Sequence, residues 1–160
     1  MLERYEQFSI SVSSIYRSIQ KIERVEMAKH GLKGPHAQCL LAMARFPEGI
    51  AAARLCEVCE KDKAAVSRTL AELEQAEMIC RTEREGKRYR AKLKLTERGQ
   101  TVARTVNKLV FLAVQKASEG YDAQSRETFI NVLNLIAGNL QSICAEGLSV
   151  PNEGEMNDEG

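Results

Sequence analysis

The sequence predicts a mainly α fold: a helix-turn-helix followed by a two-stranded β hairpin, with a long helix at each end. Three features carry that expectation. Apolar residues recur at three- and four-residue spacing along most of the 160-residue chain. Two short helical stretches between residues 50 and 77 are joined by a tight turn. One segment, residues 88–95, instead alternates apolar and basic side chains with period two. An apolar share of 44% is ample for a core and excludes a chain disordered throughout. No apolar run approaches the ~18 residues of a membrane helix, and Met1-Leu2-Glu3-Arg4-Tyr5 does not open a signal sequence. Five cysteines (Cys39, Cys56, Cys59, Cys80, Cys144) with no secretion signal argue for a reducing compartment rather than a disulfide framework. The expected setting is soluble and cytoplasmic.

Residues 3–29 read as one helix. Tyr5, Phe8, Val12, Ile15, Ile19 and Ile22 are spaced 3, 4, 3, 4, 3, a heptad seam rather than a broad core face. Such a seam packs either on the rest of the chain or on a second copy. Gly31 stops the helix, and Lys29 and His30 suit its negative end. Gly34-Pro35 opens a second helix with Leu40, Leu41, Met43, Ala44 and Phe46 on its apolar side, and Pro47-Glu48-Gly49 ends it. A third, short helix is expected over Ile50–Cys59, and a fourth from Lys63 to about Glu77 with Asp62 as its cap. Ile79–Arg84 and Arg88–Leu95 form the hairpin, turning at Glu85-Gly86-Lys87. Thr96 suits the start of a fifth helix bearing Val102, Val106, Leu109, Ala113 and Ala117. Gly120 breaks it, and Asp122 caps a sixth with Phe129, Val132, Leu133, Ile136, Leu140 and Ile143. From Leu148 on, Pro, Gly, Asn and acids predominate, and a disordered tail is expected.

The net charge of +1 is unevenly placed. Residues 148–160 carry four acids (Glu153, Glu155, Asp158, Glu159) and no base, which leaves +5 on the first 147 residues. The window Arg81–Lys94 holds seven bases (Arg81, Arg84, Lys87, Arg88, Arg90, Lys92, Lys94) against Glu83 and Glu85, and so carries that whole excess. Such a concentration fits a polyanion. A lysine-rich edge strand that resists sheet aggregation has the same composition.

The fourth helix is the most informative element. Val66, Leu70 and Leu73 lie within about 60° on a 3.6-residue wheel and face the core. The opposite side is then Ala64, Arg68, Ala71 and Gln75, flanked by Ala65 and Ser67. Small residues around one arginine let a helix approach another surface closely. In a DNA major groove, Arg can bond guanine bidentately, Ser can bond bases or phosphates, and Ala can touch a thymine methyl. The acids Glu72, Glu74 and Glu77 are confined to the C-terminal half. Alanine's helix propensity explains part of the same pattern, but the basic strand immediately downstream favours DNA.

The run from Gly31 to Gly99 resembles the MarR family of bacterial winged helix-turn-helix regulators. The resemblance rests on Gly31-Leu32; on Ile50, Leu55 and Cys59; on Asp62 followed by Val66-Ser67-Arg68; on Leu70 and Leu73; and on Leu93-Lys94-Leu95-Thr96 before Gly99. With the flanking helices it covers residues 3–147. It implies a homodimer formed by the terminal helices (1–30 and 123–147), a winged DNA-binding domain with its linking helix (31–122), and an acidic tail (148–160). It also implies recognition helices in two major grooves of a pseudo-palindromic operator, wings at the minor grooves, and a repressor released by a small phenolic or lipophilic ligand, by thiol oxidation or by metal. The DNA-contacting set is Lys63, Ala64, Ala65, Ser67, Arg68, Arg84, Lys87, Arg88 and Arg90, with Arg68 reading bases, Arg88 the minor groove, and Lys63, Lys87 and Arg90 phosphates. Two positions depart from the family. Lys87-Arg88-Tyr89 stands where its wing tip reads Asp-Arg-Arg, so the acid that holds the minor-groove arginine is replaced by a base. Ala51 stands where a Ser or Thr cap is usual.

An effector is expected between helices one, two and five, lined by Tyr16, His36, Leu40, Met43 and Phe111, the mixture of apolar and few polar groups usual in a ligand site. The same residues also suit a plain core, with His36 at the surface. Cys56-x-x-Cys59 lacks a second ligand pair for zinc, and Cys59 occupies a position expected in the core. His30 and His36 are only two ligands, so no metal or other cofactor is expected. No glycine-rich phosphate loop, nucleophile elbow or acid pair with a histidine is present, so no enzyme is expected. Two rival readings keep the fold: a thiol-responsive regulator, and a protein-interaction module that does not bind DNA.

Overall fold

The computed structural model describes residues 2–82 and 91–147. Its elements are α1 (Leu2–Ala28), α2 (Gly34–Ala44), α3 (Ala52–Cys59), α4 (Lys63–Gln75), β1 (Ile79–Thr82), β2 (Lys92–Leu95), α5 (Glu97–Ala117) and α6 (Ala123–Glu146). They form two compact units, Met1–Gln115 and Lys116–Gly160.

The first unit holds the core. α2 packs on α1, α3, α4 and β2, and Leu40, Met43, Leu55, Leu73, Met78 and Leu93 are almost wholly buried there. α1 joins the core only at its C-terminal end, where Met27 is buried; its chain reverses at Gly31 (φ 71°), and Leu32 N–H donates to Met27 O at 3.0 Å. Upstream, Tyr5, Phe8, Val12 and Ile15 remain exposed.

Two boundaries differ from the sequence reading. α3 starts at Ala52, not Ile50. Ile50 is extended and exchanges backbone bonds with Leu93 (3.0 and 2.9 Å), adding a one-residue third rung to the sheet. Gly49 permits this (φ 88°): a Cβ there would lie 3.0 Å from both Lys92 Cβ and Lys94 Cγ, so only glycine lets β2 pass this closely. A β-branched residue after glycine suits an extended segment as well as a helix start, which is why spacing alone misassigned it. Phe46 lies beyond the end of α2 and packs half-buried from the following turn.

The strands are antiparallel, with Ile79 opposite Leu95 and Thr82 opposite Lys92. The hairpin turn, together with Arg84, Lys87, Arg88 and Arg90, lies outside the described residues. Within β2 the expected alternation holds at Lys92 (exposed) and Leu93 (buried), whereas Lys94 and Leu95 are both half-buried.

In the second unit, Asp122 caps α6, its Oδ1 accepting from Ser125 N–H at 2.9 Å. Hydrogen bonding holds this carboxyl below its usual range, chiefly through that backbone bond. No described residue of α6 is buried. By length and composition α6 qualifies as a membrane span, with mean hydropathy 1.2, although its sequence holds no uninterrupted apolar run. Its pattern is one-sided. Phe129, Val132, Leu133, Ile136, Leu140 and Ile143 fall within about 100° of one another, opposite Asn131, Asn134, Gly138 and Ser142. A helix surrounded by lipid needs no polar face.

A candidate nucleic-acid interface

α4 begins where Asp62, in extended conformation, accepts from Ala65 N–H at 2.8 Å. The preceding turn reverses at Glu60 (φ 50°), closing a helix-turn-helix between α3 and α4. Val66, Leu70 and Leu73 are buried, and Thr69 is buried with its hydroxyl donating to Ala65 O at 3.0 Å. Lys63, Ala64, Ser67, Arg68, Ala71 and Gln75 are exposed and Ala65 is half-buried, so the small-residue face of α4 points outward. Ala51, just before α3, supplies no side-chain cap, leaving that end to backbone bonding alone.

The acids of α4 are drawn aside from this face. Glu74 receives Arg81 from β1, Nε to Oε1 at 2.6 Å and Nη2 to Oε2 at 3.3 Å. Glu72 lies 2.8 Å from His36 Nε2 and 3.9 Å from Lys33 Nζ. These pairs leave Arg68 without an ion pair among the described residues. They also commit Arg81, first of the seven bases in the charged window, to a structural partner that sequence reading missed.

His36 is buried rather than superficial. Its Nδ1 accepts from Lys33 N–H at 2.9 Å, capping the start of α2, and its Nε2 faces Glu72. Leu40 and Met43 are core residues, Tyr16 is exposed with its hydroxyl accepting from Gln38 Nε2 at 3.3 Å, and Phe111 is exposed on α5. None of the three described clefts is lined by all five residues. Met43 borders a cleft of about 730 Å³ between α2, β2 and α5, with Phe46, Lys94, Ala103 and Arg104. Tyr16 borders different clefts, beside α1.

Cys59 is half-buried and edges a cleft near Tyr16 and Arg45, whereas Cys39 is fully buried on α2. The neighbouring Cys39 thiol and the charge of Lys61 together lower Cys59 to about 7, against the desolvation of its site, and Cys39 is pushed up correspondingly. Alkylation of Cys59 by iodoacetamide is therefore expected to titrate with a midpoint near 7. In Cys39→Ala the midpoint should move toward the ordinary thiol value of about 8.5. Peptide mapping of the alkylated protein across pH 5.5–9, a range chosen to bracket both values, checks this; a parent midpoint at the ordinary value refutes the assignment. Among the described residues, no three His, Cys, Asp or Glu side chains group in a way that could hold a metal ion.

A helix-turn-helix packed on α2, a strand pair extended by a third rung, and an outward α4 face define a winged helix-turn-helix protein. Residues 30–88 match the model of the MarR family, and the fold is that of MarR-family transcription regulators. A MarR transcriptional regulator from Methanosarcina mazei Go1 is 21% identical, with TM-score 0.75 over 86% of this chain and 99% of that one. The structure of MarR itself is 24% identical, with TM-score 0.72 over 87% and 94%. A MarR-family regulator from Silicibacter pomeroyi is 20% identical, with TM-score 0.70 over 87% and 92%. A comparison with curated proteins gives no match.

Proposed function

We propose that this chain is a dimeric, cytoplasmic transcriptional regulator of MarR type, acting as a repressor on pseudo-palindromic duplex DNA. The observation that carries the reading is the outward face of α4: small residues around Arg68, which has no ion pair among the described residues, with the helix's own acids held by His36, Lys33 and Arg81. In a major groove Arg68 would bond base edges, Ser67 would bond bases or phosphate, and Ala64 and Ala65 would allow close approach. Lys63 would neutralise a phosphate, as would Lys87 and Arg90 of the wing, with Arg88 in the minor groove. No catalytic step and no cofactor is part of this reading.

The test is binding of the parent and two variants to DNA from upstream of the protein's own gene. Arg68→Ala should lose about 1–3 kcal/mol and relax preference at one base pair per half-site. Lys63→Ala should weaken all sequences about equally. If both variants bind as tightly as the parent at physiological salt, the assignment of this face fails.

Release by a small aromatic or lipophilic effector is part of the proposal. The α2–β2–α5 cleft supports it, since Leu41, Phe46 and Leu95 offer apolar surface beside Arg104 and Lys94. The Cys39–Cys59 pair favours a second reading, in which oxidation is the signal. DNA release by peroxide that disappears in Cys59→Ser, with ligand response intact, would select it.

A further inference from the structure

The α4 face and the wing leave a second concentration of positive charge unused. A cleft of about 690 Å³ opens between the C-terminal half of α1, the start of α2 and the α3–α4 turn. Arg17, Lys21, Arg24, Lys33 and Lys61 line it against one acid, Glu23. Arg17, Lys21 and Arg24 are spaced four and three residues apart, so they form one ridge of α1 about 10 Å long. Like charges at that spacing repel. Arg17, Lys21, Arg24 and Lys61 make no ion pair among the described residues. Glu23 lies on the floor, only 6% exposed. Burial pushes its carboxyl pKa up, and the charge of Lys61 partly offsets that shift.

The cleft adjoins α4 at two points. Lys61 directly precedes Asp62, the cap of α4, and Lys33 reaches Glu72 on α4 at 3.9 Å. An extended row of cations beside that helix suits a row of phosphates better than a single small anion. We propose that this cleft binds backbone phosphates of the DNA strand flanking the groove that α4 enters. The inference rests on the DNA-binding reading above and enlarges its footprint to α1.

The test uses the full chain and a fluorescein-labelled duplex of arbitrary sequence. A length of about 30 base pairs holds two half-sites one helical turn apart with flanks. Affinity is measured by anisotropy across a salt series. Arg17→Gln, Lys21→Gln, Arg24→Gln and Lys61→Gln together remove the charge but keep much of the apolar stems. The slope of log affinity against log salt should fall by about 0.9 for each phosphate that is no longer neutralised. The charge-conserving set Arg17→Lys, Lys21→Arg, Arg24→Lys and Lys61→Arg should keep the parent's slope. Lys108→Gln, on the exposed side of α5, should keep it too. Circular dichroism checks folding, and Lys21→Gln with Lys61→Gln replaces the fourfold variant if that one is unfolded. An unchanged slope in a folded glutamine variant overturns the inference and leaves the DNA-binding reading standing. A loss in Lys108→Gln as large per charge removed overturns it as well, because the effect would then be the chain's overall charge. A parent that binds no duplex at low salt overturns both.

Discussion

Gly99→Ala is expected to destabilise the first unit by about 3 kcal/mol or more, among the largest effects of any single methyl group in this chain. Gly99 lies in the first turn of α5, directly against the α4–β1 connection. A Cβ there would stand 1.9 Å from Met78 O and 2.9 Å from Met78 C. Both are backbone atoms and cannot rotate away. Thr96 holds the two segments at this separation: its N–H donates to Met78 O at 3.0 Å, its hydroxyl donates to Glu77 O at 2.7 Å and accepts from Gly99 N–H at 3.1 Å. A methyl group must part them, at the expense of these bonds or of the buried Met78 and Val102. For a chain of this size the loss is a fall of about 6–12 °C in melting temperature. Gly138→Ala, in α6 with nothing within 4 Å of its added Cβ, supplies the contrast and should be neutral or stabilising by up to about 1 kcal/mol. Calorimetry giving both variants the same melting temperature would show that the close approach at Gly99 is wrong.

Ile15→Lys together with Leu140→Lys is expected to convert a dimer into a poorly folded or monomeric chain. The reason is apolar surface without cover. Ile15 is 53% exposed and Leu140 51% exposed within a single chain, yet each belongs to a continuous stripe, the α1 seam or the α6 face. A lone α6 burying nothing would be marginal in water, because helix propensity alone rarely holds such a segment. In the proposed dimer, a second copy covering both stripes would supply the missing burial. Each substitution would then appear twice in a symmetric interface and place an unpaired charge in it, a loss of several kcal/mol. Bivalent DNA binding would fall with it, by the two to four orders of magnitude that avidity contributes, about 10²–10⁴-fold. Sedimentation should show a dimer for the parent and not for the variant. A parent that sediments as a stable folded monomer refutes the dimer, and with it the pairing of two half-sites.

Residue pattern alone specified most of the fold. Periodicity located the longer helices among the described residues, because a helix or strand one face of which is buried must repeat its apolar residues at its own period. Asp62 and Asp122 marked helix starts, since a cap acts within three residues of itself. The inner side of α4 was legible for the same reason: Val66, Leu70 and Leu73 share a face whatever they pack against. Failures of the reading came where local preference is weak, as at Ile50, whose strand-like pairing depends on Leu93 being brought alongside.

Tertiary structure decided every relation between elements. Arg81 counted as a free base until β1 placed it on Glu74. His36 read as a ligand donor or a surface residue until α2 met α4 and buried it against Glu72. Cys59 acquired its lowered thiol from Cys39, and the charged cleft gathered bases from α1, α2 and the α3–α4 turn. No spacing rule encodes these meetings, because they follow from where helices cross, and crossing geometry is set by how whole faces interdigitate rather than by any one residue's neighbours in the chain.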